Sequence, residues 1–250
     1  MSSMTTGWVV FACVFGGALL GMLLRKILPD DHLSSDSKDV VKLGMGLIGT
    51  MAALVLSLLI SSAKGSYDIR SAEVAQLSAN FTLLDRVLAH YGPEAREARD
   101  LLRRSVARVI DQLWPERGAG PSQSTPSTGA EAFYDTIQAL SPKNDAQRSL
   151  QTQALTISVS LGQTRWLLVG QSARSIPRPF LVMLICWLAF IFVSFGLFAR
   201  ANPTVIVALF VCALSFSSAI FLILELDRPF EGLIQISSAP MREALARLGQ

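Results

Sequence analysis

One face of the second apolar stretch carries the residues best placed for chemistry in this chain. Lys42, Gly46, Thr50, Ala53, Ser57, Ser61 and Lys64 follow one another at steps of four, four, three, four, four and three. That spacing puts them on a single side of an α-helix. Small and hydroxylated residues fill the middle of the face, and a lysine stands near each end. Several copies of such a helix around an axis would wall a water-filled path with hydroxyls and place rings of positive charge at its mouths, which favour anions. The same residues equally describe a close helix-packing seam whose lysines extend to lipid headgroups. A bulkier neighbouring face through Met51, Leu54 and Leu58 is the alternative inward side, an apolar constriction. Spacing alone does not choose the rotation.

The helix that must position this face is one of four uncharged runs. Gly7 to Leu24, Leu43 to Ala63, Pro179 to Ala199 and Ala201 to Leu224 contain no Asp, Glu, Lys, Arg or His, and about 20 apolar residues suffice to span the hydrocarbon core as a helix. The chain is 51% hydrophobic and 16% charged, with a mean hydropathy of +0.43, whereas roughly a quarter of a soluble protein's residues are charged. The fold class is therefore an all-α integral membrane protein. It has four transmembrane helices in two hairpins, with a helical hydrophilic domain inserted between the second and third. Residues 1–63 form the first hairpin, 64–178 the hydrophilic domain, 179–224 the second hairpin and 225–250 a corner and tail. No Lys or Arg precedes Gly7, so the first run lacks the positive start of a cleaved signal peptide and is expected to stay as an anchor. Gly17 and Gly21 in that run form a small-xxx-small face that lets another helix approach closely.

Cys13, Cys186 and Cys212 all lie within the apolar runs, where they pack as small hydrophobes and are expected as free thiols. The stretch from Lys64 to Arg178 holds 14 basic and 11 acidic residues, a balance too mild for nucleic-acid binding. Within it, Leu77, Phe81, Leu84, Leu88 and Tyr91 mark one apolar helix face, which Gly92 and Pro93 end. Leu101, Leu102, Val106, Val109 and Leu113 mark a second helix up to Trp114 and Pro115. Residues 118–129, rich in Gly, Pro, Ser and Thr, read as a flexible linker. A short helix from Glu131 to Leu140 and a long one from about Asn144 to Arg174 complete the domain. Two of its helices are expected to run directly from or into membrane helices. Arg96, Arg99, Arg103 and Arg104 with Glu97 and Asp100 read as a solvated, salt-bridged face.

Lys and Arg near the membrane ends divide almost evenly between the two sides, so charge alone leaves orientation open. Gly44, Gly46 and Gly49 spell GxGxxG, but with no preceding strand the pattern is not a dinucleotide site. No nucleophile lies beside a base, no Cys or His spacing suits a metal, and no cofactor is implied, so an enzyme is not expected. The fourth run ends in LELDRPFEG. Here Glu225, Asp227, Arg228, Pro229, Phe230 and Gly232 form either an ordinary helix stop with an interfacial ion pair or a structural corner that docks the tail onto the hydrophilic domain.

That ending and the four-run layout resemble the bestrophin-like bacterial membrane proteins, which share an LDxPFxG motif after the last membrane helix. Leu226, Asp227, Pro229, Phe230 and Gly232 supply it. Glu225, Pro229, Phe230 and Gly232 partly match the corresponding turn of bestrophins themselves. The resemblance implies a homopentameric ion channel in the bacterial inner membrane, chiefly for anions such as chloride, with the second helix lining the pore and the helical domain in the cytoplasm. Its partners would be the lipid bilayer, inorganic ions and further copies of itself. The sequence departs from animal bestrophins in lacking both the acidic calcium-binding cluster after the corner and the phenylalanine-rich neck of the second helix. Calcium gating is not implied, and the sign of the permeant ion stays open. The alternative function is a membrane-anchored helical scaffold or sensor that conducts nothing.

Overall fold

The computed structural model describes residues 3–28, 35–115, 127–170, 178–199 and 202–249. All regular structure among them is helical. The elements are α1 (Ser3–Ile27), α2 (Ser35–Tyr91), a 3-10 turn (Pro93–Ala95), α3 (Arg96–Leu113), α4 (Ser127–Gln138), α5 (Asp145–Gly170), α6 (Arg178–Phe198), α7 (Pro203–Leu226) and α8 (Ala239–Arg247). Four of them, α1, α2, α6 and α7, are long and apolar enough to cross a membrane. The chain divides into two compact units, Met1–Tyr67 with Arg174–Ile234, and Asp68–Ala173 with Gln235–Gln250.

In the first unit, α1 packs along α6 and also touches α7. Lipid tails are as apolar as leucine, so hydrophobic exclusion gives little drive between membrane helices, and close van der Waals fit has to supply it. Glycines make that fit possible. A Cβ on Gly21 would run into the Val193 carbonyl and the Leu197 nitrogen, and one on Gly196 into the Ala18 carbonyl and the Met22 nitrogen. The two backbones therefore touch, on the Gly17–Gly21 face that the sequence marks. Toward α7, the rings of Phe11 and Phe15 meet Phe210 edge-on at 5.4 and 5.5 Å. Nearby, the Ser217 hydroxyl donates a buried hydrogen bond to the Gly7 carbonyl (2.6 Å). Val10, Val14 and Ala18 of α1, Ala52, Leu59 and Ala63 of α2, and Leu184, Leu188 and Phe192 of α6 share this core.

The sequence places a membrane run and an amphipathic stretch on either side of Ala63, and the two form a single helix of 57 residues. Nothing between them breaks it: no proline intervenes, and a lone glycine such as Gly65 costs only about 1 kcal/mol against Ala. The helix stops where expected. Gly92 adopts φ 123°, a left-handed backbone that suits glycine. Pro93 then opens the turn into α3.

In the second unit the expected stripe of Leu77, Phe81, Leu84, Leu88 and Tyr91 is buried, as are Leu102, Val106, Val109 and Leu113 of α3. Leu101 is only half-buried. Helix α4 begins at Ser127, four residues before the expected Glu131, and ends at Gln138. The Gln151 amide closes its end by donating to the Ile137 and Leu140 carbonyls (2.9 and 2.8 Å), which satisfies orphan acceptors of the last turn. The expected 118–129 linker lies outside the described residues up to 126, and its last three residues belong to α4. Residues 171–177, where α5 was expected to end before the third run, also lie outside them.

Candidate functional site

All seven residues of the polar face, Lys42, Gly46, Thr50, Ala53, Ser57, Ser61 and Lys64, are exposed on the single chain. The core contacts of α2 come from its other side, through Ala52, Leu59 and Ala63, with Met45, Ile48, Val55 and Leu56 partly buried against them. A Cβ added to Gly44, Gly46 or Gly49 would meet nothing within 4 Å. The bulkier Met51, Leu54 and Leu58 are exposed too, so one broad arc of α2 lies uncovered and holds both candidate inward faces.

Chemically, the face is hydroxyl-rich and positive at its ends. The Thr50 hydroxyl donates to the Leu47 carbonyl (2.8 Å), which spends its proton locally and leaves oxygen lone pairs outward. Lys42 Nζ stands 3.5 Å from Asp39 Oδ1 in a pair whose side chains are 69% and 74% exposed. Such a pair holds little energy and leaves the ammonium open to an ion. Lys64 Nζ lies 5.6 Å from the centre of the Tyr67 ring, a cation–π distance that fixes the charge near the end of the stripe.

The second candidate, the segment after α7, is a tight turn built around a buried carboxylate. Glu225 is 4% exposed, and its Oε2 accepts the Leu233 N–H at 2.7 Å. Backbone bonds from Arg228 N–H to the Glu225 carbonyl (3.0 Å) and from Glu231 N–H to the Arg228 carbonyl (3.1 Å) shape the bend. Gly232 has φ 94°, and a Cβ there would collide with the Glu225 carboxylate. Both conformation and space therefore require glycine at this position. Asp227 and Pro229 are buried, while Arg228 and Phe230 are half-buried.

Beyond the turn, the tail is tied down within the second unit by contacts that sequence reasoning missed. Trp114 Nε1 donates to the Ile236 carbonyl (2.8 Å), and the Ser78 hydroxyl to the Pro240 carbonyl (2.6 Å). Asp85 takes both Arg99 nitrogens, Nε at 2.8 Å and Nη2 at 2.9 Å, and also the Gly249 N–H at 3.3 Å. Arg99 thus leaves the expected solvated face and forms a bidentate, mostly buried pair; its bonds to Asp85 hold the guanidinium above its ordinary pKa. A signal was present, because Asp85 lies on the buried side of α2 between Leu84 and Leu88. An acid among core positions calls for a partner. Among the described residues no group of three or more His, Cys, Asp or Glu could hold a metal.

The fold and these two sites define an all-helical membrane protein with an uncovered polar helix face and a glycine-locked turn after its last long helix. A family model for the bestrophin-like domain matches residues 12–241. The chain belongs to the bestrophin-like family. No curated protein matches it. Among solved structures, it is similar to a bacterial bestrophin homologue from Klebsiella pneumoniae carrying a leucine-to-threonine mutation, with a TM-score of 0.66 and 17% identity over 95% of this chain and 99% of that one.

Proposed function

We propose that the chain is one subunit of an oligomeric, anion-conducting channel whose pore is lined by α2. The observation that carries this reading is the uncovered stripe itself. A helix that spends its apolar side inside its own subunit turns outward the face bearing Thr50, Ser57, Ser61 and terminal lysines, and such a face is better placed against water than against lipid. Family membership and the shared fold support it.

In this reading α1 with α2 and α6 with α7 are the two transmembrane hairpins, and five copies surround a common axis in a bacterial inner membrane. The inserted domain, 64–178, lies in the cytoplasm. Lys42 and Lys64 form the charged mouths, Thr50, Ser57 and Ser61 the wetted wall, and Gly46 and Ala53 let neighbouring helices approach. Lipid meets the outer face of α1 through Trp8, Leu20 and Leu23, which are exposed on the single chain. The turn from Glu225 to Gly232 fixes where the chain leaves the membrane unit.

Reconstitution in a planar bilayer under a chloride gradient tests the assignment. Lys64→Glu is expected to move the reversal potential toward cations, and an unchanged potential removes Lys64 from the selectivity account. Cysteine labelling from the aqueous side chooses the rotation: modification at positions 57 and 61 should block current, while block only at 54 and 58 makes the apolar side the pore wall. Purified protein that gives no flux in liposomes would leave the scaffold reading in its place.

A further inference from the structure

Within the second unit, α2, α3, α4 and α5 leave a cleft of about 60 Å³ between them. Phe81, Leu102, Phe133 and Leu161 give it an apolar wall, and Ser105 and Ser158 add hydroxyls. One cation reaches it, Arg165, and its bonding is incomplete. Its Nη2 donates to Gln112 Oε1 at 3.0 Å. Its Nε is buried with no partner among the described residues, and no described carboxylate pairs with it. Burial, and then the charge of Arg108, press the guanidinium below its ordinary pKa, and the acceptor it does have, the Gln112 oxygen, is neutral. Buried polar groups in native proteins have partners, and a partly buried guanidinium lacking an acid is suited to receive an anion.

The size of the cleft limits what fits. At ~10–15 Å³ for each water-sized group, about 60 Å³ admits roughly four to six non-hydrogen atoms. We propose that this cleft binds a short-chain carboxylate of the acetate-to-butyrate class, its carboxylate on the Arg165 guanidinium and its alkyl tail between Phe81, Leu102, Phe133 and Leu161. An anion without a tail would leave the apolar wall unused. The opposite end of the same α2 helix carries the polar stripe, but the binding claim does not depend on conduction.

The full-length protein in detergent, titrated with sodium propionate and read by saturation-transfer NMR and melting temperature, provides the test. A saturable signal with a dissociation constant on the order of 1 mM is expected for so few ligand atoms, with a higher melting temperature. Arg165→Gln should weaken binding at least ~10-fold. Gly162→Leu guards against misfolding as the cause: Gly162 lines the cleft and a Cβ there meets nothing within 4 Å, so the side chain fills the space without straining the helix and should abolish the signal in a folded protein. Binding that persists in both variants overturns the proposal. So does equal stabilisation by sodium chloride at the same concentration, which would mean that the tail contributes nothing. Neither measurement needs ion flux, so either result is separate from that of the channel test.

Discussion

Two helices of the first unit carry closely spaced glycines, and these meet opposite fates. On α1, Gly17 and Gly21 are filled by the backbone of α6, to the point that a single added carbon at Gly21 has nowhere to go. On α2, Gly44, Gly46 and Gly49 face nothing within 4 Å. Small residues therefore encode two different things here, a seam closed within the chain and a surface left open. What separates them is the company the glycines keep. The α1 face is flanked by Val10, Val14 and Ala18, which can be buried against apolar neighbours at no polar cost. The α2 face is interleaved with hydroxyls and ends in lysines, and a seam inside one subunit would have to satisfy them.

Substitution at the two faces should give the largest difference. Gly21→Val forces α1 and α6 apart over their length, and a loss on the order of 3 kcal/mol is expected from overpacking, read as an earlier unfolding midpoint in SDS titration. Gly46→Val should change that midpoint by no more than about 0.5 kcal/mol, as for an uncovered position, while reducing current through the assembled protein. Equal losses of stability at both would erase the distinction between a closed and an open face.

Charges repeat the contrast between covered and uncovered. The Asp85 and Arg99 side chains are 4% and 20% exposed, against 74% and 69% for Asp39 and Lys42. Breaking a buried pair strands an uncompensated charge, so Arg99→Ala should cost about 2–4 kcal/mol and loosen the tail that Asp85 also holds through the Gly249 N–H. Lys42→Ala should cost under about 0.5 kcal/mol, with its effect confined to conduction. Limited proteolysis of the tail measures the first; a tail as resistant in Arg99→Ala as in the parent protein would show that the Asp85 anchor holds without Arg99.

The same distinction explains what could be read from the residues alone. The four long apolar helices and the 77–91 stripe were legible because each repeats one signal over many turns. The Gly17–Gly21 seam was legible because lipid leaves tight packing as the main driving force between helices. Less could be known of contacts that depend on chain return, such as Arg99 reaching Asp85 after the bend at Gly92, or Gln151 closing α4. In both cases the partner is supplied by another helix, and a charged residue on an amphipathic helix reads as solvent-facing until that helix arrives. The continuity of α2 was legible for a different reason, as one of the two helices expected to run directly from or into a membrane helix. The character changes from apolar to amphipathic at Ala63, but no helix stop stands at Ala63 to Gly65 and the helix runs on.

The smallest effect belongs to an exposed pair of the second unit. Lys143 Nζ lies 2.6 Å from Glu94 Oε1 beside the Gly92 bend. The Lys143 hydrogen bond holds the Glu94 carboxyl below its ordinary pKa, and the Glu94 bond raises the Lys143 ammonium above its own. The depressed acid contributes stability that is full above its unfolded value and disappears as pH falls through the lower folded one. The raised base contributes stability that is full below its unfolded value and disappears as pH rises through the higher folded one. The pair therefore adds a shallow plateau between the ordinary Glu and Lys values, with a decline on either side. Because water screens both groups, the melting temperature of Glu94→Gln should track the parent closely across the plateau and differ mainly in losing the acid-side decline. A large drop at neutral pH would instead show that the bend at Gly92 depends on this pair, and that an exposed contact can hold as much of the fold as a covered one.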